Sequence, residues 1–346
     1  MTTVRDIARE AGVSAMTVSN VINGRHDRVS AATARRVQEV MERQGFVPSA
    51  PARALSSKNS NVVALVYPGE ITGHEPLANP HDSAFIGEIE RQVSRSGRYL
   101  MIHAAENVIK TAANLRTWQV DGAIFLGTIA SEVDELRRRY DVPMVFVDNY
   151  SSSPDVHTVG IDDFRGGYLA GQHLVRAGHE QLAFVSPRIE GEGVLHQRFL
   201  GFSRALADAG KGGGPLRVLP CDSHCGDGLE LAARLAADPA RPTGIFATAD
   251  ITAIGLLKGF LVNGVRVPDD VSLIGFDGLP ETTYVLPAVS TIRQDVSAKA
   301  RAAVHTLLSL LDDDRESSTE RITLDVELQA GGTVGPPPTG DAPRSL

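Results

Sequence analysis

Cysteine is nearly absent. The 346 residues hold only two, which excludes a disulfide framework as the source of stability. No apolar run approaches the roughly 18 to 20 residues of a bilayer span, and the opening MTTVRDIAREAG is polar and amphipathic, unlike a secretory signal. There is also no GxSxG nucleophile elbow, no P-loop, no dinucleotide glycine fingerprint and no paired acid/base constellation, so turnover is not expected and no cofactor is implied. Gly212–Gly214 reads as loop, since no phosphate-binding pattern surrounds it. The final stretch 331–346, GGTVGPPPTGDAPRSL, lacks leucine heptads and is rich in Gly and Pro. It is expected to be a disordered tail rather than a tetramer-forming coil. What is left is a protein expected to be cytoplasmic, with no membrane partner. Hydrophobic residues make up 42% of the chain, enough for proper cores, and the length suits two or three domains.

The net charge of −8 is unevenly spread. Residues 1–60 hold nine Lys/Arg against five Asp/Glu, a balance of +4. The remaining 25 Lys/Arg and 37 Asp/Glu give −12. A basic end on an acidic body points to phosphate binding confined to the head.

That head reads as three short helices. Thr3 is placed to cap a helix with Asp6 in its first turn, and Gly12 ends it where a positive φ is cheap. Ser14 caps a second helix from Ala15 to about Asn23, with Gly24 closing it. Ser30 caps a third from Ala31 to about Gln44, closed by Gly45. The informative spacing is Ala8, Gly12, Val18. Two helices crossing steeply over a short turn need a small residue at the contact, a glycine in the turn and a branched apolar residue facing back. These three supply them in helix-turn-helix order.

VRDIAREAGVSAMTVSNVING, then VSAATARRVQEVMERQGFVPS and ARALSS, closely resembles the headpiece of the lac repressor/galactose repressor family over residues 2–58, departing by one extra residue in the loop Arg25–Arg28. The resemblance implies that Ala15, Met16 and Asn20 face base edges in the major groove. Their chemistry agrees: Asn20 suits adenine N6 and N7, and Ala15 or Met16 a thymine methyl. Thr3, Ser14, Thr17, Ser19, Asn23 and Thr33 match family positions that bind phosphate and set register. Residues 48–60 match the hinge helix and linker, and Leu55 the side chain that wedges into the operator minor groove. Pro51 falls near that helix's first turn.

From residue 61 short apolar runs alternate with helical stretches. The runs are Val62–Tyr67, Tyr99–His103, Gly122–Leu126, Met144–Val147, Leu182–Val185, Gly244–Ala247 and Val271–Phe276. This predicts parallel sheets covered by helices, with ligands bound beyond the carboxyl ends of the strands. Asp148, Asp250 and Asp277 follow or end three of the runs. Asp250, directly before a helical stretch, reads as its cap. Asp277, before the irregular Gly278-Leu279-Pro280, reads as a ligand group.

The resemblance continues through VDGAIFLG, GGYLAGQHLVRAGHEQLAFV, QRFLGFSRAL and PDDVSLIGFDGLPETTYVLPAVSTIRQD to about residue 330. It implies a sensor core like the periplasmic sugar-binding proteins, with two subdomains of parallel sheet joined by crossings near 160, 290 and 323. It places Asp148, Arg198 and Asp277 in an effector cleft, with Ser223 where many relatives carry a stacking aromatic. His74, His81 and His196 near the cleft lip are either polar ligand contacts or ordinary surface histidines. Cys221, His224 and Cys225 lack a fourth ligand and are not expected to hold metal. The implied protein is a homodimeric, nucleoid-associated repressor on a quasi-palindromic double-stranded operator, tuned by a small-molecule effector. A sugar or sugar derivative is favoured as effector over a purine-like or other polar corepressor. An enzyme fused to a DNA-binding head is the remaining alternative.

Overall fold

The computed structural model describes residues 2–22, 25–47, 60–68, 76–105, 107–189, 191–210, 216–312 and 319–338. In the head, α1 (Val4–Ala11), α2 (Ala15–Ile22) and α3 (Ala31–Arg43) close around Ile7, Ala8, Val18, Val21, Val37 and Val40. Each start is fixed by a hydroxyl. Thr3 and Asp6 form a reciprocal capping box, Ser14 Oγ accepts from the Thr17 amide at 3.1 Å, and Ser30 Oγ accepts from the Thr33 amide at 3.3 Å. Gly12 ends α1 at φ 65°, the left-handed turn that aims α2 across it.

The core contains two six-stranded sheets. The first runs β11-β5-β4-β3-β1-β2, with β1 (Val62–Pro68), β2 (Tyr99–Ala105), β3 (Gly122–Leu126), β4 (Met144–Val147), β5 (Thr158–Ile161) and β11 (Arg321–Leu324), all parallel. The second runs β12-β10-β9-β8-β6-β7, with β6 (Leu182–Ser186), β7 (Arg217–Pro220), β8 (Gly244–Ala247), β9 (Ser272–Asp277), β10 (Ser290–Gln294) and β12 (Val326–Gln329). It is parallel except for the β10–β12 pair. Strands β3, β4, β6, β8 and β9 are buried at every residue, because helices cover both faces.

On the first sheet, α4 (Pro80–Arg95) and α11 (Val296–Leu311) bury Phe85, Ile89, Val304 and Leu307 on one face. On the other, α5 (Val108–Thr117) and α6 (Ala130–Arg139) pack with Phe125 and Phe146. The second sheet lies between α7 (Asp163–Arg176) with α8 (Val194–Asp208), packed around Phe184, Phe202 and Phe246, and α9 (Cys225–Ala236) with α10 (Asp250–Val262). Among the described residues no helix is long and apolar enough to cross a membrane.

The chain passes between the sheets at Asp162, Asp295 and Asp325. The first two have nearly the same backbone, φ −81° ψ 80° and φ −89° ψ 87°, and each caps the helix that follows it. Helices α7 and α8 meet backbone to backbone. A Cβ on Gly167 would lie 2.0 Å from the Arg198 carbonyl oxygen, so only glycine lets α7 approach α8 this closely.

The tail departs from the sequence expectation. Residues 331–338 are not disordered but cross the amino ends of the second sheet. The fully buried Thr333 donates its hydroxyl to the Leu273 carbonyl (2.6 Å) and accepts from the Ser290 amide (2.9 Å). Gly335 donates its amide to Ser272 Oγ (3.0 Å), and its carbonyl accepts from His179 Nε2 (2.9 Å). Glycine here serves contact rather than freedom. A Cβ on Gly331 would lie 2.3 Å from the Ala288 carbonyl oxygen. Residues 339–346 lie outside the described residues.

Candidate functional site

On the head, α2 turns Val18 and Val21 inward and leaves Ala15 and Met16 exposed, Met16 at 69%, with Asn20 half-buried on the same helix. The hydroxyls matched to phosphate positions already serve the fold. Thr3 caps α1, Ser14 and Thr17 share a 2.9 Å hydrogen bond, and Thr33 shares one of 2.9 Å with Ser30. Ser19 is half-buried. Asn23, Leu55, Pro51, His74 and Gly212–Gly214 lie outside the described residues.

Between the two sheets the structure gathers a buried charge cluster. Asp148 follows β4 at φ 55°, and Asp277 ends β9 at φ 121°. A positive φ is costly for a side-chain-bearing residue and is retained where the surroundings hold it. These two aspartates are the carboxylates picked out from the sequence. Arg198, in the second turn of α8, lies within electrostatic reach of both. Its Nε donates to Asp163 Oδ1 (2.7 Å), its Nη1 donates to the Thr248 carbonyl (2.7 Å), and its guanidinium lies 3.5 Å above the Phe276 ring centre. Burial works against its charge, and Asp163 and Asp277 restore it.

Asp163 also accepts from the Tyr150 hydroxyl at 2.5 Å. Burial, then Asp163, pushes the Tyr150 phenol far above its usual range, so it is a neutral donor. Burial also raises Asp163 itself, against the pull of Arg198.

Sequence reasoning missed the residue that joins the two sides. Lys299, on α11 and 1% exposed, donates Nζ to Asp148 Oδ2 (2.8 Å) and to Gln294 Oε1 (2.9 Å), 5.6 Å from the Phe85 ring centre. Gln294 Nε2 in turn donates to Asp277 Oδ1 (2.9 Å). Asp163, Tyr150, Thr248 and Gln294 were missed as well. A signal for Lys299 existed: it falls on the stripe Lys299, Ala303, Leu307 at helical spacing, where an apolar residue belongs.

His81, second residue of α4, meets Asp82 Oδ1 through Nδ1 (2.9 Å). Burial opposes a charge on its ring, but Asp277 and Asp82 outweigh that and raise its pKa. Among the described residues, His81 Nε2, His196 Nδ1 and Asp148 Oδ1 are buried with no hydrogen-bond partner.

Asp250 is not the helix cap expected of it. Ala249 occupies the cap position without a side-chain bond. The Asp250 carboxyl instead accepts from Thr291 Oγ1 (2.6 Å) and the Leu279 amide (2.8 Å), holding the turn after Asp277 in place. Burial, then Asp277, raises its pKa well above the carboxylate range. The reason is depth: a fully buried carboxyl finds partners on neighbouring strands before its own helix end.

Ser223 sits half-buried between β7 and α9, with no hydrogen bond to this cluster among the described residues. Near it, burial pushes the Cys221 thiol up to about 12, with Asp227 and Asp222 adding to the shift. Among the described residues no three His, Cys, Asp or Glu side chains are placed to hold a metal ion.

Two family descriptions match the chain: bacterial regulatory proteins of the lacI family over residues 3–49, and a periplasmic binding protein-like domain over residues 172–334. The transcriptional repressor PurR of Photobacterium profundum is 31% identical over 322 residues, covering 90% of this chain and 93% of that protein. Catabolite control protein A of Priestia megaterium is 31% identical over 324 residues, covering 92% and 95%. A lac repressor dimer bound to operator and the anti-inducer ONPF superposes with a TM-score of 0.84 at 23% identity, over 96% of this chain and 99% of that one. An Enterococcus faecium LacI family regulator with bound ribose gives 0.69 at 28% identity, over 79% and 99%. A helix-turn-helix head, two α/β sheets and these relatives agree, and the chain belongs to the lacI family of bacterial DNA-binding transcriptional regulators.

Proposed function

We propose that this regulator is a repressor that binds a quasi-palindromic operator as a homodimer and changes affinity when a small hydroxyl-bearing molecule, a sugar or sugar derivative, occupies the space between its sheets. The observation that carries this is the cluster around Asp148, Arg198 and Asp277. A guanidinium and two carboxylates are fixed in place there, while Asp148 Oδ1 and His81 Nε2 are buried without partners. Buried polar atoms left unpaired cost stability, so the two call for bound groups, able to donate to the carboxylate oxygen and to accept from the ring nitrogen. A hydroxyl does both. Because the cluster's charges are tied to one another, it suits binding rather than turnover.

On the head, Ala15, Met16 and Asn20 read bases, and Thr3, Ser14, Thr17, Ser19, Asn23 and Thr33 contact phosphate. Leu55 enters the minor groove. The second copy is supported by a pair of apolar side chains in one connection of the second subdomain, Tyr284 at 75% and Leu286 at 86% exposed.

The test is fluorescence anisotropy with an operator selected in vitro from random duplexes, run at fixed salt. Asn20→Ala should lose about 1–3 kcal/mol of affinity for the selected site, with binding to random DNA unchanged. Equal loss on both duplexes would remove Asn20 from base reading. A thermal-shift panel of sugars and sugar acids then tests the cleft, since Asp148→Asn should abolish any shift that the unaltered protein shows.

A further inference from the structure

We propose that Lys299 and Gln294 form a relay that ties the two ligand-facing carboxylates together across the second crossing, with Lys299 as the positioning residue that fixes how the two subdomains sit. Lys299 and Asp148 both belong to the first subdomain, and Gln294 and Asp277 both belong to the second. The bond from Lys299 Nζ to Gln294 Oε1 therefore spans them, as the Tyr150–Asp163 bond does near the first crossing, and it straddles Asp295, where the chain crosses. Each carboxylate has one oxygen in the relay, Asp148 Oδ2 and Asp277 Oδ1.

The energetics argue against a merely structural lysine. Burying an ammonium is costly until pairing repays it, and a well-packed apolar side chain in its place is often neutral or better for stability. Lys299 already packs against Phe85 and lies on the apolar stripe of α11, so a methionine fits the site sterically. What methionine cannot do is hold Asp148 and Gln294 at once. The two carboxylates at the ends of the relay are also the two that carry a positive φ in this cluster, a backbone state that needs external support. A ligand hydroxyl engaging Asp148 Oδ1 or Asp277 thus acts on groups already linked across the crossing, and its binding is passed to the angle between the sheets.

This rests on reading the cleft as the ligand site. The test needs no ligand, so failure of either idea can be told apart from failure of the other. Spin labels on non-canonical residues at Ser131 and Glu230, in the first and second subdomains, report their separation by pulsed dipolar spectroscopy in the full-length protein, diluted with unlabelled chains. The unaltered protein should give one narrow distance distribution. Lys299→Met should broaden it or add a second population, and so should Gln294→Leu, which cuts the link while leaving the Lys299–Asp148 pair in place. Distributions that stay narrow and unshifted in both folded variants overturn the proposal. If Lys299→Met does not fold, Gln294→Leu alone decides it.

Discussion

The contact of Gly167 with α8 makes a sharp prediction. A Cβ on Gly167 would stand 2.0 Å from the Arg198 carbonyl oxygen, 2.7 Å from its carbon and 2.9 Å from its Cα. An ordinary contact needs about 3.4 Å, so Gly167→Ala must part the two helices by roughly 1.4 Å. No rotamer relieves it, because the obstruction is backbone. Overpacking of this kind costs about 1–3 kcal/mol, and in a unit of this size each kcal/mol lowers Tm by about 2–4 °C. The loss should therefore fall between about 2 and 12 °C. The displacement also lifts Arg198 from Asp163, Thr248 and Phe276, which all hold it now.

The control is Gly87, on the exposed side of α4, where a Cβ meets nothing within 4 Å. Gly87→Ala should raise stability by about 0.5–1 kcal/mol, since alanine is the better helix former. Scanning calorimetry reads both. If Gly167→Ala melts with the unaltered protein, or both alanines shift Tm the same way, the account of the α7–α8 seam is refuted.

Two further outcomes concern the segment beneath the second sheet. Thr333→Val keeps the shape but leaves the Ser290 amide and the Leu273 carbonyl buried without partners, so denaturant unfolding should show a loss of about 1–3 kcal/mol. An unchanged midpoint would mean that residues 331–338 do not support the sheet. His179 is fully buried with its pKa lowered by burial. Its neutral form is favoured in the folded state, so its contribution is complete above the unfolded value near 6.5 and is lost as pH falls below that. Urea midpoints should decline as pH falls below about 6.5, and His179→Asn should flatten that decline. Because His81 shifts the other way, the comparison of slopes is the readout, not the slope of the unaltered protein alone.

Much of the architecture could be read from the sequence because its signals are local. Ala8, Gly12 and Val18 lie within eleven residues and state a helix-turn-helix by size alone. Strands such as Gly122–Leu126 and Gly244–Ala247 appear as unbroken apolar runs because both faces of a parallel strand are covered. The charge cluster was only half legible. Asp148, Arg198 and Asp277 were named from the sequence, but their partners come from elsewhere: Lys299 is 151 residues from Asp148, and Asp163 is 35 from Arg198. Lys299 is marked in the sequence only by its place on the apolar stripe of its helix, which names no partner for it. Asp250 misled because an acid before a helix usually caps it, and burial gave it other acceptor work. The Gly/Pro-rich segment misled because composition does not distinguish a glycine that bends freely from one that lets two backbones touch.

The capped crossings bear on how a small event between the sheets is enlarged. At Asp162 and Asp295 a strand ends and a helix begins with a single residue between them, so bending is confined to a few backbone bonds, with long rigid bodies on the far side. Helix α11 has 16 residues, about 24 Å of axis at 1.5 Å per residue. A swing of about 10° at Asp295 therefore moves its far end by roughly 4 Å. The carboxylate that caps each helix would be the pin of such a lever.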